Sequence, residues 1–289
     1  VDIHAEKVLI LDFGSQYTQL IARRVRELGV YCEIHAPGMK AADLKAFAPR
    51  GVILSGGPAS VEAAGSPRCD PLVFELGVPV LGICYGLQLM AKMLGGKVDK
   101  SAHREFGPAD VEVLAARGPF AAFKQGEHVK VWMSHGDRVE TLPPGFSPIA
   151  RTASSPLAAA AHDSKPIYGL QFHPEVVHTP QGREMLKAFL FTDCQLSGSW
   201  SMKGFAAVAM DAIRAKVGDG RVVCGLSGGV DSSVAALLLH KAIGDHLACI
   251  FVDNGLLREG EREQVEAVFA GRFKVPLRTV DARARFLAK

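Results

Sequence analysis

The chain opens on short apolar runs separated by segments of helical spacing. Residues 7–13 read as a strand buried on both faces, and residues 15–28 carry helical periodicity up to Gly29, a natural helix stop. Runs at 31–36, 51–55 and 78–84 predict further strands, and segments at 41–47, 71–76 and 86–94 predict helices between them. Strands that alternate with helices imply βαβ units and a mainly parallel sheet with helices on both faces. After this the rhythm changes. Strands are predicted at 109–114, 128–134, 147–151, 157–162 and 167–172, joined by turns with little helix. They are expected to extend the same sheet with antiparallel pairs, and a helix over 181–191 closes the unit.

Residues 192–202 form a polar stretch that reads as a linker, which divides the chain into domains 1–194 and 195–289. A helix is expected over 202–217. The βα alternation then restarts with a strand at 222–226, a helix at 231–242, a strand at 247–252, a helix at 259–269 and a strand at 277–280. So few strands cannot bury both faces of a doubly wound sheet, so the second domain is expected to be incomplete in this chain. The fold class is α/β throughout.

Composition narrows the classes. The 289 residues are 48% hydrophobic and 22% charged, enough for sizeable cores, and the formal charge of +3 carries no basic stripe of the kind nucleic acid requires. No apolar stretch approaches the length of a membrane span, and Val1-Asp2-Ile3-His4-Ala5 has no basic-then-apolar start, so neither membrane insertion nor an export signal is expected. The six cysteines, Cys32, Cys69, Cys84, Cys194, Cys224 and Cys249, include no CxxC pair. A zinc site is therefore not expected, and reduced thiols in a cytoplasmic protein are the default reading.

Cys84 stands apart by its context. Pro79-Val-Leu-Gly82-Ile-Cys84-Tyr85-Gly86-Leu-Gln88 runs from a strand through Gly-x-Cys-x-Gly into a helix, the layout of a nucleophile elbow with sulfur as nucleophile. The two glycines suit a turn too tight for side chains. The helix N-terminus beside the sulfur favours thiolate over thiol. A base is offered by His173, in Gly169-Leu-Gln-Phe-His173-Pro174-Glu175, with Glu175 placed to orient the imidazole. Oxyanion donors are the backbone N–H of Tyr85 and, from the turn Leu54-Ser-Gly56-Gly57-Pro58, that of Gly57.

In this order the three motifs resemble the class I glutamine amidotransferases, whose triad is Cys, His and Glu in GxCxG and HPE settings, over roughly residues 6–192. The resemblance implies a flavodoxin-like mixed sheet and hydrolysis of the side-chain amide of L-glutamine through a thioester, with Cys84, His173 and Glu175 as triad. It also implies a glutamine-binding role for Gln88 and for Ser134 and His135 in Val131-Trp-Met-Ser134-His135-Gly136-Asp137. His135 reads equally well as a polar turn residue.

A second motif is Ser227-Gly228-Gly229-Val230-Asp231-Ser232-Ser233, between a strand and a helix. Such a loop cradles anions with its backbone N–H groups, and the three serine hydroxyls add donors. It has neither Walker A nor Rossmann spacing. It resembles the ATP pyrophosphatase loop instead, which implies an adenine-nucleotide α-hydrolase-like domain and ATP with Mg²⁺ as substrate, with no tightly bound cofactor. The stretch Ile250 to Arg258, Val252 among them, is expected to line the nucleotide pocket, and Asp231 to hold Mg²⁺ or brace the loop.

Together the two motifs resemble the family of glutamine-hydrolysing ligases that aminate XMP to GMP. That implies adenylation of XMP by ATP, release of pyrophosphate, and displacement of AMP by ammonia. Members of that family continue beyond this point into a domain that supports homodimers and XMP binding. This chain is therefore expected to retain the glutaminase half without making GMP. Two other readings stay open: a glutaminase that feeds another acceptor, and a non-catalytic regulatory or assembly fragment. The basic stretch from Arg272 to Lys289 reads as a solvated edge or a covered surface.

Overall fold

The computed structural model describes residues 5–153 and 155–288. Residues 1–4, part of the stretch read for an export signal, and Lys289 lie outside the described residues. The chain divides into two compact units, Val1–Ser201 and Met202–Lys289.

The first unit begins with β1 (Lys7–Leu11), α1 (Thr18–Glu27), β2 (Tyr31–His35), α2 (Ala41–Phe47), β3 (Gly51–Leu54), β4 (Val80–Ile83) and α3 (Tyr85–Met93). It continues with β5 (Lys97–Val113), β6 (His128–Thr141), β7 (Phe146–Arg151), β8 (Ala159–His162), β9 (Ile167–Leu170) and α4 (Gly182–Lys187). Among the described residues these strands form one nine-stranded sheet in the order β2-β1-β3-β4-β9-β8-β7-β5-β6. Strands β1 to β4 and β9 pair in parallel, and β8, β7, β5 and β6 extend the sheet antiparallel, as the change of rhythm implied.

Alternate residues of β1 show why the sheet is covered on both sides. Val8 and Ile10 pack in one apolar cluster with Ile21 and Val25 of α1, while Leu9 and Leu11 pack in another with Leu44 and Phe47 of α2. Each such buried side chain contributes about 1.5–3 kcal/mol relative to exposure, so the strand is held from both faces.

Several elements depart from the pattern: the helix expected at 71–76 is a 3-10 turn over Pro71–Phe74, and β6 runs on to Thr141 past the expected 134. β5 starts at Lys97, well before the expected 109–114, and pairs with β6 from Lys97↔Thr141 to Glu112↔His128, with a register shift between Lys100 and Glu105. Its first half is charged and lies on the outermost ribbon, where backbone pairing forms without an apolar signature. The stretch after α4 is no free linker. A π-helical turn, Ala188–Asp193, leads to Cys194, Leu196 and Trp200, all buried, and Trp200 N donates to Gly29 O at 2.8 Å. Gly29 has φ +76°, and a Cβ there would lie 2.4 Å from Gly198 O, so only glycine admits this strap.

The second unit comprises α5 (Met202–Val217), β10 (Val222–Leu226), α6 (Val230–Ile243), β11 (Leu247–Asp253), α7 (Glu261–Glu266), β12 (Leu277–Asp281) and α8 (Arg283–Leu287). Its described strands form a parallel sheet ordered β10-β11-β12. Leu226, Leu247, Cys249 and Phe251 pack against Ala236, Val265 and Phe269, while Val223 and Val252 on the opposite face are exposed. The basic C-terminal stretch contributes α8, where Arg283 pairs with Asp281. Among the described residues no helix is long and apolar enough to cross a membrane.

Candidate active site

The turn from β4 into α3 is as tight as Gly82-x-Cys84-x-Gly86 implied. A Cβ on Gly82 would lie 2.7 Å from the Gly86 carbonyl, and one on Gly86 would lie 2.4 Å from Leu54 O of β3. Cys84 sits between them at φ 51°, ψ −103°, in a region that non-glycine residues rarely adopt, and Cys84 N donates to Leu170 O at 2.7 Å. Strain of this kind costs about 1–3 kcal/mol and persists because neighbouring strands over-determine it. It puts the sulfur at the first turn of α3, where backbone N–H groups have no helical partner.

His173 follows β9 and is fixed at its backbone. His173 N donates to Trp132 O at 3.1 Å, and its carbonyl accepts from Thr179 Oγ1 at 2.6 Å. His173 Nδ1 lies 2.7 Å from Glu175 Oε1, with the carboxylate fully buried. Burial alone would push the imidazole toward neutrality. Hydrogen bonds to Cys84 and Glu175, together with their charges, outweigh it and hold His173 well above the usual imidazole range. The Tyr17 ring meets the imidazole edge-on at 5.1 Å between centroids.

Cys84 and His173 line a cavity of about 340 Å³ together with Gly57, Gln88, Ser134 and His135. Gly57 abuts the elbow, since a Cβ there would lie 2.6 Å from Phe13 O and 3.3 Å from the Tyr85 ring. The Tyr85 side chain turns away to donate to Pro67 O at 2.7 Å, so the backbone is the part of Tyr85 that remains near the sulfur. Ser134 presents its carbonyl to the Cys84 thiol at 3.5 Å. Gln88 Nε2 donates to Asp137 O at 2.7 Å, and His135 Nδ1 meets the same carbonyl at 3.1 Å. His135 Nε2 lies 2.9 Å from Glu105 Oε2. Burial holds the His135 pKa below its ordinary value against the opposing charge of Glu105.

In the second unit Gly228 has φ +79° and α6 begins at Val230, so the loop has the expected strand-to-helix form. The serines bond within it. Ser227 Oγ and Ser232 Oγ are 2.9 Å apart, Ser232 Oγ donates to Gly229 O at 3.1 Å and Ser233 Oγ to the same oxygen at 2.6 Å. Gly228, Ser233 and Arg258 line one cavity of about 390 Å³; Val252 and Asp231 do not. Val252 points to the face opposite Phe251 and Asp253, as strand alternation requires. Asp231 is exposed on the first turn of α6, and among the described residues no group of three or more His, Cys, Asp or Glu side chains could hold a metal.

Three residues that support the site had no reading in the sequence. Gln171 is fully buried, with Nε2 3.8 Å from Cys84 Sγ. Thr179 bridges Trp132 N and His173 O. Glu105 pairs with His135 across β5 and β6. Gln171 alone left a usable signal, its position two residues before His173 in an extended run.

Residues 9–192 match the class-I glutamine amidotransferase family, and residues 220–286 match the tRNA methyl transferase HUP domain. The chain is 55% identical over 292 residues to a glutamine-hydrolyzing GMP synthase of Nitrosococcus oceani, covering 99% of this chain and 56% of the relative. It is 55% identical over 293 residues to the enzyme of that name from Alcanivorax borkumensis, covering 100% of this chain and 56% of the relative. It thus spans about half the length of these curated relatives. The solved structure of a Thermoplasma acidophilum protein described as a GMP synthase subunit superimposes with a TM-score of 0.57 at 30% identity, covering 66% of this chain and 94% of that one.

Proposed function

The chain belongs to the class-I glutamine amidotransferase family, and we propose that its first unit hydrolyses L-glutamine with Cys84, His173 and Glu175 as triad. The observation that carries this reading is the elbow cysteine sharing a cavity with His173, whose Nδ1 lies 2.7 Å from a buried carboxylate that orients the imidazole. The Cys84 thiol proton passes to His173, and the sulfur attacks the amide carbon of glutamine. The resulting oxyanion is held by the N–H groups of Gly57 and Tyr85. His173 returns the proton to the departing nitrogen, the C–N bond breaks, and ammonia leaves a γ-glutamyl thioester. Water, deprotonated by His173, attacks that carbon; the C–S bond breaks and glutamate departs. Gln88, Ser134 and His135 bind the substrate, chiefly by fixing the backbone of the segment 134–137.

The second unit takes ATP with Mg²⁺ as substrate on the loop Ser227 to Ser233, with Val252 on the neighbouring strand end and Asp231 near the ion. The ammonia serves amination of XMP to GMP, with AMP and pyrophosphate released. This destination is supported by the 55% identity to enzymes named for glutamine-dependent GMP synthesis. A protein that carries the further sequence of these relatives is expected to work in the cytoplasm as a homodimer through that sequence, without nucleic acid.

Glutamate formation from L-glutamine by this chain, compared with Cys84→Ser, tests the first step. The variant is expected to lose about 10³-fold or more in turnover. Equal turnover would remove Cys84 from the mechanism. GMP formation from XMP, ATP and glutamine by the longer protein tests the acceptor, and amination of a different acceptor with none of XMP would overturn it.

A further inference from the structure

We propose that Gln171 is a catalytic residue whose side-chain amide donates to the Cys84 sulfur and stabilises it as thiolate, both before attack on glutamine and when sulfur leaves the thioester. The proposal rests on the reading of Cys84 as nucleophile.

Gln171 is 0% exposed, and its Nε2 lies 3.8 Å from Cys84 Sγ, within reach of a hydrogen bond to sulfur. It is not among the residues that line the cavity, and the neighbour its amide meets is the sulfur. Its Oε1 is buried with no hydrogen-bond partner among the described residues. Burying an amide group without a partner costs about 1–3 kcal/mol. An apolar side chain of similar length would fill the same space without that cost, which leaves the contact with sulfur as what the amide supplies.

The groups around the sulfur explain why such a donor matters. Ser134 O accepts from the thiol at 3.5 Å. Once the proton moves to His173, that carbonyl faces an anion with its lone pairs and opposes the thiolate. His173 and the first-turn N–H groups of α3 lie on the other side of the sulfur. Gln171 offers a neutral donor that takes no part in proton transfer. The donor therefore remains while His173 is neutral, as it must be to deprotonate water. When water adds to the thioester and the C–S bond breaks, the electron pair returns to a sulfur already facing the Gln171 N–H. Oriented the other way, Oε1 would add a second lone pair against the thiolate.

The test follows alkylation of Cys84 by iodoacetamide against pH in the 289-residue chain, with Cys84→Ser subtracting the other thiols. Gln171→Met keeps the length and removes the donor. It is expected to move the midpoint of the profile up by about one pH unit, roughly tenfold slower labelling below it, while the limiting rate at high pH is kept. Gln171→Glu, which places a carboxylate beside the sulfur, is expected to move it further. Melting curves identify folded variants, and a folded variant with the wild-type profile overturns the proposal. The wild-type chain supplies a measurement independent of variants. The side-chain amide resonance of Gln171 should titrate with the alkylation midpoint, and a resonance that stays flat overturns the proposal as well. Absence of Cys84-dependent alkylation or of glutamine hydrolysis in wild type would instead overturn the reading of Cys84.

Discussion

His173 and Glu175 form an electrostatically demanding pair, because among the described residues a fully buried carboxylate has the imidazole at 2.7 Å as its one ion-pair partner. Removing one partner of a buried pair is costlier than the pair is worth, since it strands the other charge. Glu175→Gln is nearly isosteric and retains an acceptor for Nδ1, yet it withdraws the negative charge that offsets the imidazolium. Turnover is expected to fall about 10⁴-fold, the loss that follows when the orienting carboxylate of a triad is neutralised, with KM little changed because Glu175 does not line the cavity. A drop in substrate affinity with turnover intact would contradict this assignment. The same pair links stability to pH. His173 is held above its ordinary value of 6.5 by hydrogen bonds to Cys84 and Glu175 that outweigh burial. A folded-state value above the unfolded one contributes stability that is complete below the unfolded value and is lost as pH rises through the folded value. Denaturant midpoints of wild type and Glu175→Gln should therefore differ most near pH 6 and converge in the alkaline range. A gap that widened with rising pH would reverse the sign and sink the argument.

At the scale of elements, the site is the meeting of three strand ends, and its precision depends on close backbone approach. Gly86→Ala would drive a methyl into Leu54 O at 2.4 Å. Neither helix nor strand can retreat, because both are packed in the core. We expect a loss of about 3 kcal/mol or more, visible as a lowered melting temperature, and an unchanged melting curve would show that the elbow is looser than its geometry. Thr179 acts between elements, tying the His173 carbonyl to Trp132 N of β6 and so the base to the segment that carries Ser134. Thr179→Val should lower kcat more than it raises KM, and Thr179→Ser should restore it. Equal loss in both variants would point to packing by the methyl instead. The sequence made the elbow legible because glycines flank a cysteine between an apolar strand and a helix, a pattern with one physical use. The Thr179 hydroxyl and the Glu105 carboxylate left no such trace. Each acts through a partner far along the chain, and a threonine in a turn or a glutamate in a charged ribbon has many ordinary uses. The early half of β5 was hidden for a related reason, since its charged sequence carries no apolar alternation.

At the scale of the whole molecule, the two units differ in how completely they bury themselves. The first has apolar clusters on both faces of its sheet, whereas the second packs one face and leaves Val223 and Val252 of the other exposed. A parallel sheet is ordinarily buried on both faces, so the second unit should melt at the lower temperature. The boundary between the units turns on the strap over residues 194–201. Its polar composition predicted a linker, because serine and glycine dominate and the two apolar anchors are isolated. In the fold those anchors decide the matter. Leu196 joins the core of the first unit, and Trp200 is 9% exposed with its backbone N–H on Gly29 O. We propose that the glutaminase unit ends at Ser201 rather than at 194. A fragment cut after Ser201 should keep the parent's higher melting transition and its Cys84 alkylation. A fragment cut after Cys194 forfeits both anchors. Truncating a buried leucine or tryptophan side chain costs about 2–5 kcal/mol, so two together remove much of the 5–15 kcal/mol that stabilises a typical domain. Its urea midpoint should fall well below that of the longer fragment. Equal midpoints would return the boundary to 194, with the strap as an adventitious cover. A shorter fragment that unfolds while the longer one hydrolyses glutamine would make the strap part of the enzyme.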